Sequence, residues 1–165
     1  MNRRILKNFN LFVDGIGQAG RIEEYTPPEF VKVTEDFRAG GMDIPVPIEL
    51  GMEPMEVSFK LVDYNETLLK KVADRSIPLT ARGALEDSAT GKTIAVVQTM
   101  RGMITKFSSG TWKPSEKAVL EITAKITAYK EEHDGAVLIE IDAENMIRNI
   151  DGVDLLAPVR DALKL

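Results

Sequence analysis

The chain has 165 residues, of which 44% are hydrophobic, with no cysteine and a formal net charge of −5. This length suits one domain with its own core, and the lack of cysteine excludes disulfides and thiolate metal sites. The negative charge argues against a nucleic-acid-binding protein, because phosphate contacts need clustered positive side chains. No apolar run reaches the roughly 18 residues of a membrane span, and the N-terminus lacks the apolar stretch of a signal peptide. We therefore expect a soluble, cytoplasmically made protein without a membrane anchor.

The first quarter of the chain predicts short strands and a tight turn. Asn10 to Val13 is an apolar run, and Asp14-Gly15 favours a hairpin turn because both residue types tolerate positive φ. A return strand is expected from Ile16 to Ile22. Residues 15–20 also match the GxGxxG dinucleotide fingerprint. We reject that interpretation, because Pro27 and Pro28 leave no room for the helix that the fingerprint requires.

The segment from Phe37 to Met55 is predicted to be an extended arm that follows a strand over Phe30 to Phe37. Its glycine pair allows backbone angles that other residues avoid, and its three prolines each lack the backbone N–H that a sheet needs as hydrogen-bond donor. The segment therefore cannot lie inside a continuous sheet. Its seven apolar side chains between Met42 and Met55 are too many for a solvated linker. This favours burial against another subunit. The alternative is an arm that folds over its own core as a lid.

The middle of the chain predicts a strand, a helix and another strand. Met55 to Leu61 alternates apolar and polar residues, as a half-buried strand does. Asn65 to Ala73 is expected to form a short helix, because Asn65 can cap it and its leucines form an apolar stripe. Ile77 to Ala84 is the next predicted strand.

Thr93 to Phe107 and Glu116 to Lys130 are predicted as the two longest strands, joined by a loop that carries Trp112. Both faces of the first strand are largely apolar, which predicts burial on both sides, by the core and by either a neighbour or the helix. The second strand alternates, with Leu120, Ile122, Ala124, Ile126 and Ala128 on its buried face and Val119, Glu121, Thr123, Lys125, Thr127 and Tyr129 on its wet face. Trp112 fits a loop anchor or an interface residue equally well.

The C-terminal part predicts a strand from Ala136 to Asp142 after a turn at His133-Asp134-Gly135. A short apolar segment of undecided structure follows around Ile147. A short helix is then expected with Asp154 as its cap, because Pro158 is tolerated only near a helix start.

Catalytic and metal-binding patterns are weak in this sequence. His133 is the only histidine and stands among carboxylates at a predicted turn, which is typical of a solvated loop. Glu140, Asp142 and Glu144 alternate along one strand face and are predicted to form a wet acidic surface rather than a cation site. We therefore expect no catalytic residue, no cofactor and no metal.

Several motifs closely resemble the major tail tube protein of contractile-tailed bacteriophages and R-type tailocins. The resemblance spans the chain in order, departs most over residues 65–92, and is carried by Asn10-Leu11-Phe12-Val13-Asp14-Gly15, Thr34-Glu35-Asp36-Phe37-Arg38-Ala39-Gly40-Gly41-Met42-Asp43, Glu49-Leu50-Gly51-Met52-Glu53, and Glu140-Ile141-Asp142 through Asn145-Met146-Ile147 to Asp151-Gly152-Val153-Asp154. It implies one tail tube domain over residues 1–165 with the arm at 37–55. The implied fold is a mainly β, sandwich or barrel-like domain with a short flanking helix, a short C-terminal helix and an extended hairpin arm.

The resemblance also implies an assembly. Six copies would form a ring whose sheets join into one continuous inner barrel, and rings would stack into a hollow tube inside a sheath. The implied contacts between rings are Arg38, Gly40, Gly41, Met42, Asp43, Ile44, Val46, Ile48, Leu50, Met52 and Glu53. Candidates for the lumen wall or a contact between subunits are Glu121, Thr123, Lys125 and Thr127, and candidates for core or interface are Leu155, Leu156, Val159 and Leu163.

The function that the resemblance implies is structural: the sheath drives the tube through the target envelope, and the tube conducts DNA or ions. Implied partners are the sheath, tape measure, baseplate and tail terminator proteins, with DNA passing through without specific binding. Six chains of −5 each would carry −30 per ring, which suits that passage. The implied location is the virion tail or tailocin particle, assembled in the host bacterial cytoplasm. Two alternatives stay open: a tube protein of a related contractile secretion system, and a monomeric ligand-binding β-barrel with the arm as lid.

Overall fold

The structure is a computed structural model that describes residues 3–165, so the first two residues of the predicted domain, Met1 and Asn2, lie outside it. The strands are β1 (Arg4–Val13), β2 (Ile16–Gly17), β3 (Ile22–Thr26), β4 (Lys32–Phe37), β5 (Val46–Met52), β6 (Met55–Leu61), β7 (Ile77–Asp87), β8 (Thr93–Ser108), β9 (Leu120–His133), β10 (Ala136–Asp142), β11 (Ile147–Ile150) and β12 (Val153–Asp154). The helices are α1 (Glu66–Lys70), continued by a 3₁₀ turn at Lys71–Ala73, and α2 (Ala157–Leu163). The predicted mainly β fold with two short helices is confirmed.

One ten-stranded antiparallel sheet forms the body, in the order β12-β11-β10-β9-β8-β7-β1-β2, with β6 and β3 attached beside β9. The strand β9 joins the two parts of this sheet. One edge of β9 pairs with β8, and the other edge pairs with β6 along its first half and with β10 along its second half. Within residues 3–165 the pairing does not return from β2 or β3 to β12. The barrel-like domain suggested by the resemblance is therefore an open sheet in the single chain.

The core lies where the sheet curls so that β3 and β6 face β1, β7 and β8. The predicted alternation of β6 is confirmed, since Val57, Phe59 and Leu61 are all buried in this core. Leu68 of α1 closes one side, and the predicted cap holds, because the Asn65 side chain accepts a hydrogen bond from the Thr67 amide at 2.9 Å. Each such large apolar side chain contributes about 1.5–3 kcal/mol on burial.

A β-bulge at Thr127 changes which β9 residues face the core. The ladder between β8 and β9 steps from Gly102 opposite Ile126 to Arg101 opposite Ala128, which leaves Thr127 as the extra residue. Beyond the bulge Tyr129 is buried and Ala128 is only half-buried. The predicted uninterrupted alternation, with Tyr129 on the wet face, is wrong for this reason.

Two predicted N-terminal elements also differ. The first strand begins at Arg4 rather than Asn10, because β7 extends to Asp87 and pairs with it throughout. The return strand from Ile16 to Ile22 is wrong: only Ile16–Gly17 pairs with β1, and the chain then turns at Gly20, whose φ is 78°. After the glycines of residues 15–20 the chain forms a strand, β3, which pairs with β6, and not the helix that a dinucleotide fingerprint requires.

Two later predictions need correction, and a third depends on the assembly. The long strand β9 begins at Leu120, not Glu116, and runs on through His133. The single chain leaves Met103 and Phe107 of β8 exposed, so burial of that face by a neighbour stays a prediction. The helix α2 begins at Ala157 rather than next to a capping Asp154. Asp154 lies in β12, and its carboxylate accepts hydrogen bonds from the Leu156 amide and from Arg160 instead.

Candidate functional site

The strands β4 and β5 form a separate two-stranded hairpin, which we call the arm. Its register runs from Lys32 opposite Met52 to Phe37 opposite Val46, and no other strand within residues 3–165 pairs with it. The predicted projecting hairpin is therefore present, but its strands span Lys32 to Met52 rather than residues 37–55. Met55, predicted as part of the arm, is the buried first residue of β6.

The arm has one apolar and one polar face. Its register and the alternation of side chains along a strand put Phe37, Val46, Ile48 and Leu50 on one face, which we call the apolar face and which also bears Glu35 opposite Ile48. All four are exposed, Leu50 to 60%, and Ile44 at the tip is 74% exposed. Thr34 and Glu49 lie opposite each other on the other face. A large apolar surface thus stands in solvent in the single chain.

The polar face of the arm is attached to the main sheet. Glu49 Oε1 lies 2.5 Å from Nη1 of Arg148 on β11, and its Oε2 lies 3.5 Å from Lys32 Nζ. The hydrogen bond from Arg148 is the main cause that lowers the pKa of the Glu49 carboxyl. The polar face is therefore turned toward the sheet and the apolar face away from it. The lid hypothesis is wrong for this chain, because a lid would bury its apolar side.

The predicted contact residues of the arm divide into two groups. Nine of the eleven are exposed, whereas Met42 and Met52 are half-buried. The Met42 carbonyl accepts a hydrogen bond from Arg38 Nε at 3.1 Å and so shapes the tip, and Met52 packs against the core. Phe37 was not among the predicted contact residues, yet it is 53% exposed and stands opposite Val46 on the apolar face.

The predicted wet face of β9 is present over its first half. Glu121, Lys125 and Thr127 are exposed and Thr123 is half-buried. In the ladder with β6, Glu121 stands opposite Lys60. Lys125 stands opposite Glu56 in the same ladder, so each charge of this face has an opposite charge beside it.

The acid and histidine candidates have structural partners. His133 Nε2 lies 2.7 Å from Glu131 Oε1, and Glu131 Oε2 accepts a hydrogen bond from Tyr129 Oη at 2.6 Å. Burial, followed by the contact with Glu131, raises the pKa of the Tyr129 hydroxyl. Asp142 accepts hydrogen bonds from the amides of Glu144 and Asn145, which closes a turn. The carboxylates of Glu131 and Asp142 are thus hydrogen-bonded to groups of the chain itself.

Metal sites and membrane-spanning helices are both absent from the part of the chain that the structure describes. Among residues 3–165, no group of three histidine, aspartate or glutamate side chains is placed to hold a metal ion. Neither helix in that range has the length and apolarity to cross a bilayer.

The C-terminal apolar residues lie outside the core cluster. Leu155, Val159 and Leu163 are exposed, and Leu156 is half-buried. Of the two predicted roles, core or interface, the core role is wrong for the three exposed residues in the single chain. The helix α2 is held in place instead by Arg160, which donates to the Met146 carbonyl at 2.7 Å and to the Asp154 carboxylate at 2.6 Å.

Comparisons with known proteins agree over almost the whole chain. The model of the family described as phage tail tube protein FII matches residues 3–163. The tail tube protein of Escherichia phage P2 is 28% identical over 159 residues, which cover 93% of this chain and 92% of that protein. The major tail tube protein of Serratia phage KSP20 is 31% identical over 152 residues, which cover 91% of this chain and 89% of that protein.

Two solved structures share the fold at low identity. A chain from an extracellular contractile injection system, described as the PVC sheath/tube terminator in the extended state, is 12% identical with a TM-score of 0.61, and the match covers 78% of this chain and 95% of that one. A chain from the PVC sheath-tube complex in the extended state is 12% identical with a TM-score of 0.58, covering 76% of this chain and 88% of that one.

Proposed function

The chain belongs to the phage tail tube protein FII family and is a structural subunit of a contractile tail tube, not an enzyme, and from this premise we propose its assembly. Six copies close into a ring, and rings stack into a hollow tube. The observation that carries this proposal is the exposed apolar face of the arm. The tube is part of the virion tail or of a tailocin particle, and its assembly takes place in the host cytoplasm.

The arm needs a neighbour for energetic reasons. An isolated two-stranded hairpin is marginally stable in water, and it gains stability when its apolar face packs against a further surface. Burying the four side chains of the apolar face and Ile44 is worth about 1.5–3 kcal/mol each before the cost of association is subtracted. The adjacent ring supplies that surface, and the contact comprises the predicted range from Arg38 to Glu53 together with Phe37.

The open sheet supports closure of the ring. Over residues 4–11 the strand β1 has β7 on one side only, because β2 pairs with β1 only at Phe12 and Val13. A long unpaired strand edge is a template for pairing with another chain. Six sheets joined at such edges form the continuous inner barrel.

The wet face of β9 faces the lumen or a subunit contact. It comprises Glu121, Thr123, Lys125 and Thr127, and each of its two charged residues has an opposite charge across the ladder on β6: Lys60 beside Glu121 and Glu56 beside Lys125. A wall of balanced charges offers phosphates no cluster of positive charge to hold, so DNA passes without specific binding. The partners are the sheath around the tube together with the tape measure, baseplate and terminator proteins. The names of the two similar structures mention a sheath, a tube and a terminator, which supports the sheath and terminator as partners.

Negative-stain microscopy of the purified protein tests the assembly. We expect rings and tubes from the unaltered chain and none from Ile44→Asp/Ile48→Asp, because two carboxylates cannot be buried unpaired at the contact. The double variant keeps the circular dichroism of the folded subunit. The matched control, Ile44→Leu/Ile48→Leu, keeps the apolar character and still forms tubes. Strictly monomeric wild-type protein at high concentration, or normal tubes from the aspartate variant, would contradict the proposal.

A further inference from the structure

The loop at residues 109–119, between β8 and β9, carries the only tryptophan of the chain in an exposed position. Trp112 is 79% exposed, and Tyr64 holds it through a T-shaped contact with 6.4 Å between ring centroids. Tyr64 Oη is in turn hydrogen-bonded to Ser109 Oγ at 2.6 Å. With Pro114 and Val119 these residues line an open groove of about 420 Å³, which we call the Trp112 groove. Anchored aromatic side chains of this kind dominate protein contacts.

The Trp112 groove lies at one end of the long strands. In the ladder between β8 and β9, Val96 stands opposite His133 at one end, which we call the upper end. Ser108 stands opposite Glu121 at the other, lower end, and loop 109–119 continues from there. The groove is therefore a feature of the lower end.

The arm runs toward the upper end. Its base joins the sheet at Met55, which stands opposite Ile126 near the middle of β9. Glu49, further along the arm, contacts Arg148, which pairs with Ile141. Ile141 itself stands opposite Tyr129, above Ile126 on β9. From base to tip the arm thus leads away from the groove of its own chain.

Stacking in one direction brings these two features together. When identical subunits associate head to tail, the upper end of one copy meets the lower end of the next. We propose that the arm tip, with Ile44 and Val46, inserts into the Trp112 groove of a copy in the adjacent ring. This inference rests on the proposed stacking of rings and names the surface that receives the arm. The occupant of the groove is thus a second copy of this chain.

The charges of the two surfaces are complementary. Residues 32–53 contain two basic and five acidic side chains, a net charge of −3. Loop 109–119 contains Lys113, Lys117 and Glu116, a net charge of +1. Opposite charges around an apolar contact favour the correct partner and orientation. The groove offers an aromatic wall for the tip and Lys113 for its carboxylates, whereas Lys117 already pairs with Glu23 of its own chain.

Tryptophan fluorescence tests the proposal on the unaltered protein, because every signal comes from Trp112. We expect the emission to shift to shorter wavelength on assembly and acrylamide quenching to fall several-fold in tubes. Ile44→Asp/Ile48→Asp subunits serve as the unassembled reference. Tubes in which acrylamide quenches Trp112 as strongly as in free subunits would overturn the proposal.

Disulfide cross-linking identifies what covers the Trp112 groove. Because the chain has no native cysteine, only the introduced cysteines can form disulfides. We expect oxidised Ile44→Cys/Lys113→Cys tubes to give covalent multimers larger than one ring, because a disulfide requires Cα atoms within roughly 7 Å. Ile44→Cys/Ala89→Cys, with its second cysteine in the turn at the upper end, is the matched control and gives no such ladder.

The outcomes separate the two proposals. Wild-type protein that forms no rings or tubes refutes the proposed assembly. Wild-type tubes with an accessible Trp112, or a ladder from the control pair but not from the groove pair, refute only the contact between arm and groove. If the double cysteine variant does not assemble, acrylamide quenching of Trp112 in wild-type tubes still tests whether the groove is covered.

Discussion

The arm and the pair formed by β6 and β9 are both antiparallel ladders with alternating apolar residues, yet their environments differ completely. In β6, Val57 and Phe59 are buried by the chain's own sheet. In the arm, Val46 and Ile48 follow the same alternation and remain exposed. Alternation therefore indicates that one face of a strand will be buried, but it does not indicate which copy of the chain buries it.

This difference divides two properties between two regions. The main sheet determines the free energy of unfolding, because replacing one of its apolar side chains removes packing contacts from the core. In the proposed assembly the arm contributes contacts between rings, because about half of each side chain on its apolar face is exposed in the single chain. Variants that change one property without the other test this division.

The largest expected effect is on the core. Phe59→Ala should lower the free energy of unfolding by about 3–5 kcal/mol, through lost burial and the cavity left behind. The matched arm variant, Phe37→Ala, should change it by less than about 0.5 kcal/mol, as exposed substitutions do. Urea denaturation measures both, in the Ile44→Asp/Ile48→Asp background that keeps subunits apart. A loss of several kcal/mol for Phe37→Ala would mean that the arm belongs to the folding unit of the sheet.

Replacing one glycine in the main sheet and one in the arm should change stability less than the phenylalanine variants do, with the same difference between the two regions. A Cβ at Gly102 in β8 would lie 2.3 Å from the carbonyl oxygen of Lys125, so Gly102→Ala should cost about 1–3 kcal/mol. Gly40 in the arm has open space around it and no left-handed φ. Gly40→Ala should leave stability unchanged or raise it by up to about 1 kcal/mol. Equal thermal midpoints for the two alanine variants would show that the β8–β9 ladder shifts freely around the new methyl group.

Local patterns predicted much of the sheet and the existence of the arm. The alternation of β6, the Asn65 cap and the proline-rich hairpin depend on neighbouring residues, and all three are present. The exposed half of β1 was missed because its pairing depends on β7, seventy and more residues away. The bulge at Thr127 was missed for a similar reason, since it arises from the match between β8 and β9 rather than from the sequence of β9 alone.

The candidate site was predicted less completely than the fold. Proline and glycine content predicted a projecting segment but not its attachment, which depends on Arg148 reaching Glu49 from the far end of the chain. The apolar second face of β8 predicted burial that the single chain does not provide, because Met103 is exposed. A sequence shows that such a face is apolar, whereas the partner that covers it belongs to the assembly.

The smallest expected effect concerns the attachment between the two regions. Hydrogen bonding and charge from Arg148 lower the pKa of Glu49 in the folded chain, so this contact stabilises the arm at neutral pH. Its contribution is lost as the pH falls through that lowered pKa, below the ordinary range of a carboxyl group. Hydrogen exchange of β4 and β5 amides, corrected for intrinsic rates, should therefore accelerate in acid relative to β9 amides. Glu49→Gln should remove this pH dependence.

The control for that measurement is Glu35→Gln, which removes a carboxylate from the same hairpin but from the face that bears Ile48, its cross-strand neighbour. Because Glu49 and not Glu35 contacts Arg148, the Glu35→Gln arm should loosen in acid as the wild-type arm does. Identical acid dependence in wild type and Glu49→Gln would place the attachment elsewhere, at Met52 against the core. The arm would then be hinged by packing at its base alone, and the direction in which it points would no longer be held by charge.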